Sequence, residues 1–105
     1  MNHPAIDNLP PVHPGEMLRD DLDALGLSAR RFAEQIGVPP NAVTEILKGQ
    51  RRVTAPMALR LGKALGTDPR YWTNLQSLYE TKVARAEIGD AIDAIAPLPH
   101  VGRVA

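Results

Sequence analysis

The stretch Gly37-Val38-Pro39-Pro40-Asn41 constrains this chain most, because it writes a break between two helices into the backbone. Pro40 suits the first turn of a helix, where its missing N–H has no intrahelical use, and it keeps Pro39 out of the α region. Gly37 can adopt the positive φ of a helix end at no steric cost. On either side apolar residues recur at helical spacing: Phe32, Ile36, Val38, Val43 and Ile46 surround the small Ala33. That spacing predicts one shared interior for two short helices crossing at a steep angle.

The rest of the chain supplies partners for this pair. Pro14 suits the first position of a helix, Glu16 follows at its positive end, and Gly26 stops it after Met17, Leu18, Leu22 and Leu25. Ser28 is an N-cap for the helix that ends near Gly37. The next helix runs from Pro40 to about Lys48 and closes at Gly49. Thr54 and Pro56 open a fourth helix with Met57, Ala58, Leu61, Ala64 and Leu65 on its apolar stripe. Asp68-Pro69 repeats the start signal for a fifth, whose apolar face holds Tyr71, Trp72, Leu75, Leu78 and Tyr79. Ile88, Ile92 and Ile95, opposed by Asp90 and Asp93, predict a further amphipathic helix ended by Pro97 and Pro99. With no strand pattern, the expected fold is all-α. The expected organisation is an N-terminal arm over 1–12, where three prolines and no helical period occur, a helical domain over 13–80, and an extension over 81–105 that is helical and then disordered.

Composition narrows the function. The chain has 105 residues and no cysteine, so disulfides and Cys-based zinc sites are excluded. No stretch approaches the roughly 20 apolar residues of a membrane span, and no apolar leader is present, so a cytoplasmic location without membrane contact is expected. The formal net charge is zero, but its distribution is uneven. Residues 28–52 set Arg30, Arg31, Lys48, Arg51 and Arg52 against Glu34 and Glu45, a balance of +3. Residues 1–27 set Arg19 against Asp7, Glu16, Asp20, Asp21 and Asp23, a balance of −4.

A polar, short-chained face on the helix beginning at Pro40, beside a basic loop, has the geometry of a DNA-reading helix-turn-helix. Pro40 and Asn41 would lead into the major groove. Asn41 suits adenine, Thr44 a base edge or thymine methyl, and Lys48 guanine or phosphate. Glu45 suits either a cytosine amino group or a partner within the protein. Ser28, Arg30, Arg31, Gln50, Arg51 and Arg52 suit the phosphate backbone, where they set register. The alternatives are a merely solvated arginine surface and an Asn41 bonded to nearby backbone. One recognition helix covers few base pairs, so two copies about 34 Å apart are expected, as a homodimer on double-stranded DNA. Leu75, Leu78, Tyr79, Ile88 and Ile92 are the candidate dimer contacts; each also fits ordinary core. No catalytic or metal site and no cofactor is expected: His3, His13 and His100 lie far apart, Asp20, Asp21 and Asp23 diverge around a helix, and no phosphate-cradling glycine loop exists. His13, beside Pro14, reads as a helix-start residue.

Four motifs occur in order across residues 13–80: HPGE, GVPPN, EILKGQRRVTAPMALRLGKALG and DPRYWTNLQ. Together they resemble the HigA antitoxins of bacterial toxin-antitoxin modules, within the XRE/Cro-like, lambda-repressor-like helix-turn-helix class. The resemblance implies a homodimer that binds a palindromic operator in its own promoter, represses transcription, and neutralises a cognate HigB-like RNase toxin that cleaves mRNA. A helix-turn-helix regulator without a toxin partner, and an interaction module that has lost DNA binding, are the alternatives. The last is suggested by the neutral overall charge and by two departures: Ala29 and Ala42 stand where family members often carry Gln and Arg, each expected to touch DNA.

Overall fold

The computed structural model describes residues 9–99; expectations for residues 1–8 and 100–105 lie outside the described residues. Five helices follow in order: α1 Pro14–Leu25, α2 Ala29–Ile36, α3 Pro40–Leu47, α4 Ala55–Leu65 and α5 Pro69–Asp93. Among the described residues there is no strand.

Each start signal acts as its chemistry requires. Ser28 Oγ accepts from the Arg31 N–H at 3.1 Å, Thr54 Oγ1 from the Met57 N–H at 3.4 Å, and Asp68 Oδ1 from the Arg70 N–H at 2.9 Å. His13 caps α1 in the same way, its Nδ1 accepting from the Gly15 N–H at 2.9 Å. Before α3, Pro39 is extended (φ −62°, ψ 147°) and Gly37 is left-handed (φ 74°), so the two prolines and the glycine impose the predicted break.

The core is shared among all five helices. Leu18 and Leu22 from α1, Phe32, Ala33 and Ile36 from α2, and Val43 and Ile46 from α3 meet Val53, Met57, Ala58, Leu61 and Trp72. Trp72 is fully buried and its indole N–H donates to Thr67 Oγ1 at 3.0 Å, so the one polar atom of the ring is satisfied. Gly15 lets α1 start against the end of α3: a Cβ there would sit 1.9 Å from the Ile46 carbonyl oxygen. Four residues of the stripes predicted for these five helices are not in the core: Leu25, Ala64, Tyr71 and Leu78 are exposed, because each lies on the edge of its helix away from the shared interior.

Beyond residue 80 the chain stays helical: α5 runs on to Asp93 with a kink at Ile88, its one non-helical residue (φ −120°, ψ 22°). Ile88 and Ile92 lie on this last part of α5, and Ile95 lies just past its end. The kink, one residue before Gly89, separates it from the part of α5 that packs on the domain.

Candidate nucleic-acid interface

Helix α3 is held by one side and free on the other. Its inner face, Ala42, Val43 and Ile46, is buried, while Pro40, Asn41 and Lys48 are exposed and Thr44 and Glu45 are half-buried. Arg19 Nη2 on α1 donates to the Leu47 carbonyl at 3.3 Å, satisfying one of the acceptors left over at the end of α3. Thr44 Oγ1 donates back to the Asn41 carbonyl at 3.3 Å, which fixes its rotamer one turn behind the leading residues.

The basic loop after α3 is bound to the body at three points. Arg51 pairs with Glu45 at 2.7 Å, so of the two readings of Glu45 the structure displays the internal partner. Arg52 donates to both oxygens of Glu80 on α5, at 2.9 and 3.4 Å. The Val53 N–H is taken by Gln76 Oε1 at 2.8 Å, and the Gln76 amide donates onward to Glu80 at 2.9 Å. The Arg52 guanidinium and the Gln76 amide hold the Glu80 carboxyl below its ordinary pKa of 4.5. Both ion pairs are solvent-exposed, where water screens them, so they orient the arginines without fixing them there.

Of the other predicted contacts, Ser28, Arg30 and Arg31 sit at the start of α2 and are exposed, as is Gln50 in the loop. Ser28 spends its hydroxyl oxygen on capping. Ala42 is buried at 6 % exposure and belongs to the core. Ala29 is half-buried against the same core. Sequence reasoning did not single out Gly15, Gln76 or Glu80. A lone glycine after a proline carries no period, and the partners of Gln76 and Glu80, Val53 and Arg52, lie more than 20 residues away in the chain.

The candidate dimer residues divide. Leu75 packs against the core, and Tyr79 is half-buried with its ring edge-on to His13 (centroids 4.9 Å apart, 73°). Leu78, Ile88 and Ile92 are exposed. Leu9, Pro10 and Val12 of the arm line a shallow cleft with Leu75, Leu78 and Tyr79, and Lys82 Nζ donates to the Leu9 carbonyl at 3.0 Å. The described end of the arm is thus draped along α5. Among the described residues no group of His, Asp and Glu side chains is placed to hold a metal ion, and no helix is long and apolar enough to cross a membrane.

Comparison with known proteins agrees with this architecture. Residues 18–72 match the helix-turn-helix family model. Virulence-associated protein I of Dichelobacter nodosus is 41 % identical over 100 residues, covering 93 % of this chain and 92 % of its own. An addiction module antidote protein of the HigA family from Coxiella burnetii superimposes with a TM-score of 0.83 at 42 % identity, over 86 % of this chain and 100 % of that one. Pseudomonas aeruginosa antitoxin HigA, solved with the higBA promoter, gives 0.80 at 40 % identity, over 84 % and 98 %. With its helix-turn-helix intact from cap to cap, this chain belongs to the HigA family of antitoxins, in the XRE-type helix-turn-helix class.

Proposed function

We propose that the chain is an autorepressing antitoxin that binds its operator as a homodimer, reads the major groove with α3, and neutralises a cognate mRNA-cleaving toxin. One observation carries the DNA half of this reading: α3 is locked to the core through Ala42, Val43 and Ile46 while Pro40, Asn41 and Lys48 face outward beside Gln50, Arg51 and Arg52. The promoter-bound HigA of similar fold supports it. Asn41, Thr44 and Lys48 address base edges. Ser28, Arg30, Arg31 and the loop arginines address phosphate, with Arg51 and Arg52 leaving Glu45 and Glu80 for the stronger anion. Leu78, Ile88 and Ile92 join the two copies.

Operator binding measured against salt tests this. A dimer making about six to ten phosphate contacts loses roughly 10³- to 10⁵-fold in affinity between 50 and 200 mM salt. Lys48→Ala or Thr44→Ala alters sequence preference, whereas Arg51→Ala weakens all sequences alike. A flat salt response, or equal effects from both kinds of change, overturns the assignment. Toxin neutralisation rests on the family, and its test is coexpression with the product of the adjacent small gene. Harmlessness of that product, or failure to copurify, counts against it. The −4 balance of residues 1–27 suits a basic toxin. Deleting residues 1–12 without loss of neutralisation removes the arm from that surface.

A further inference from the structure

We propose that Glu80 is a positioning residue that restrains operator affinity from within: in the free protein it stands in for phosphate at the Arg52 guanidinium, and Gln76 keeps it there. This role rests on the DNA-binding reading above and deepens it.

The carboxylate meets Arg52 as a phosphate would. Arg52 Nε donates to Oε2 at 2.9 Å and Nη2 to Oε1 at 3.4 Å, the forked pairing by which arginine holds either anion. A phosphate approaching that edge must displace Glu80. One approaching the outer edge of the guanidinium meets a cation whose charge is already offset by the carboxylate beside it. By either route Glu80 opposes the contact.

Glu80 is itself held in place. The Gln76 amide, one helical turn earlier, donates to its Oε2 at 2.9 Å. Gln76 is 3 % exposed and its oxygen is committed to the Val53 N–H at 2.8 Å, so its amide has little freedom to follow a retreating carboxylate. The same bond holds the backbone at Val53, next to Arg52. What swings toward DNA is therefore the exposed Arg52 side chain, away from an anion that stays behind. Both donors hold the Glu80 carboxyl below its ordinary pKa, so it keeps its charge at neutral pH. Glu45 meets Arg51 differently: Nε and Nη2 both reach its Oε1, and Glu45 belongs to α3 itself. Glu80 acts from α5, outside the helix-turn-helix, and can be changed without altering the helix that meets the bases.

The test is the affinity of the full chain for a duplex carrying the promoter of its own gene and for an unrelated duplex of equal length, in Glu80→Gln, Arg52→Ala and the double variant. Glu80→Gln keeps an oxygen for the Gln76 amide and a good helix former while removing the charge. The expected result is that Glu80→Gln binds about two- to fivefold tighter than wild type for each copy bound, the worth of an exposed ion pair, and does so on both duplexes. The gain is larger at about 50 mM salt than at about 200 mM, because salt screens the competing charge. With Arg52→Ala in place the gain shrinks to that of Glu87→Gln, an exposed position farther along α5 that changes the net charge alone. A folded Glu80→Gln that binds no tighter than wild type overturns the proposal. So does a gain that survives undiminished without Arg52. If Glu80→Gln does not fold, Glu80→Ala carries the same comparison. A wild-type protein that binds neither duplex at any salt rejects the DNA-binding reading, and this role with it; binding without the expected gain rejects the role of Glu80 alone.

Discussion

Residues 69–82 of α5 bury Trp72 completely and Gln76 to 3 % exposure, whereas residues 83–93 of the same helix bury nothing. The first half is specified from outside: the core takes Trp72, and the loop after α3 takes Gln76 and Glu80. The second half is helical on its own account, with Ala84, Ala86 and Ala91 as good helix formers. Freed of packing, it kinks at Ile88, beside a glycine with open space around it. The contrast teaches that one helix can serve two purposes, as a wall of the domain and as an apolar rod carrying Ile88 and Ile92 outward to a second copy in the proposed dimer.

Four measurements break or sharpen this contrast. Trp72→Ala should cost about 3–5 kcal/mol of unfolding free energy in urea, since it empties the largest fully buried side chain. A loss near zero would place the inner half outside the core. Next, Gln76→Ala leaves the buried Val53 N–H without its acceptor and should cost about 1–3 kcal/mol, with hydrogen exchange at Val53 rising more than elsewhere in the domain. Smaller again is the effect at the first turn of α5, where Arg70 holds the Asp68 carboxyl down at a pKa of about 2, from an ordinary 3.8. The ionised carboxylate stabilises the fold above that ordinary value and loses its effect as the pH falls toward 2. The melting temperature of Asp68→Asn should therefore lie below wild type at neutral pH, and the gap should close over that acid range. The smallest change in domain stability belongs to Ile88→Ser with Ile92→Ser, within about 0.5 kcal/mol by denaturation of the monomer, because neither side chain supports the core. The same pair should weaken self-association in sedimentation, and unchanged association would move the dimer contacts elsewhere.

What was legible in the sequence was local chemistry. Ser28, Thr54 and Asp68 announce their helices because a capping oxygen acts within three residues of itself. The inner face of α3 was legible for the same reason, through period and prolines. Contacts between distant segments were not. Nothing near Gly15 says that the Ile46 carbonyl will press against it, and nothing near Gln76 says that the Val53 N–H, 23 residues earlier, needs an acceptor. Arg60 is a third case: from α4 its guanidinium donates to the Ile36 carbonyl and so sets a cation at the negative end of the α2 dipole.

Gln76 and Glu80 are one helical turn apart and grip consecutive residues, Val53 and Arg52. Two fastenings on one rigid shaft leave the loop no independent hinge, so swivelling the inner half of α5 about its axis must drag the Arg52 charge along. In the proposed DNA complex, a mutation that reshapes that shaft will therefore retune the grip on phosphate without touching any residue that meets it.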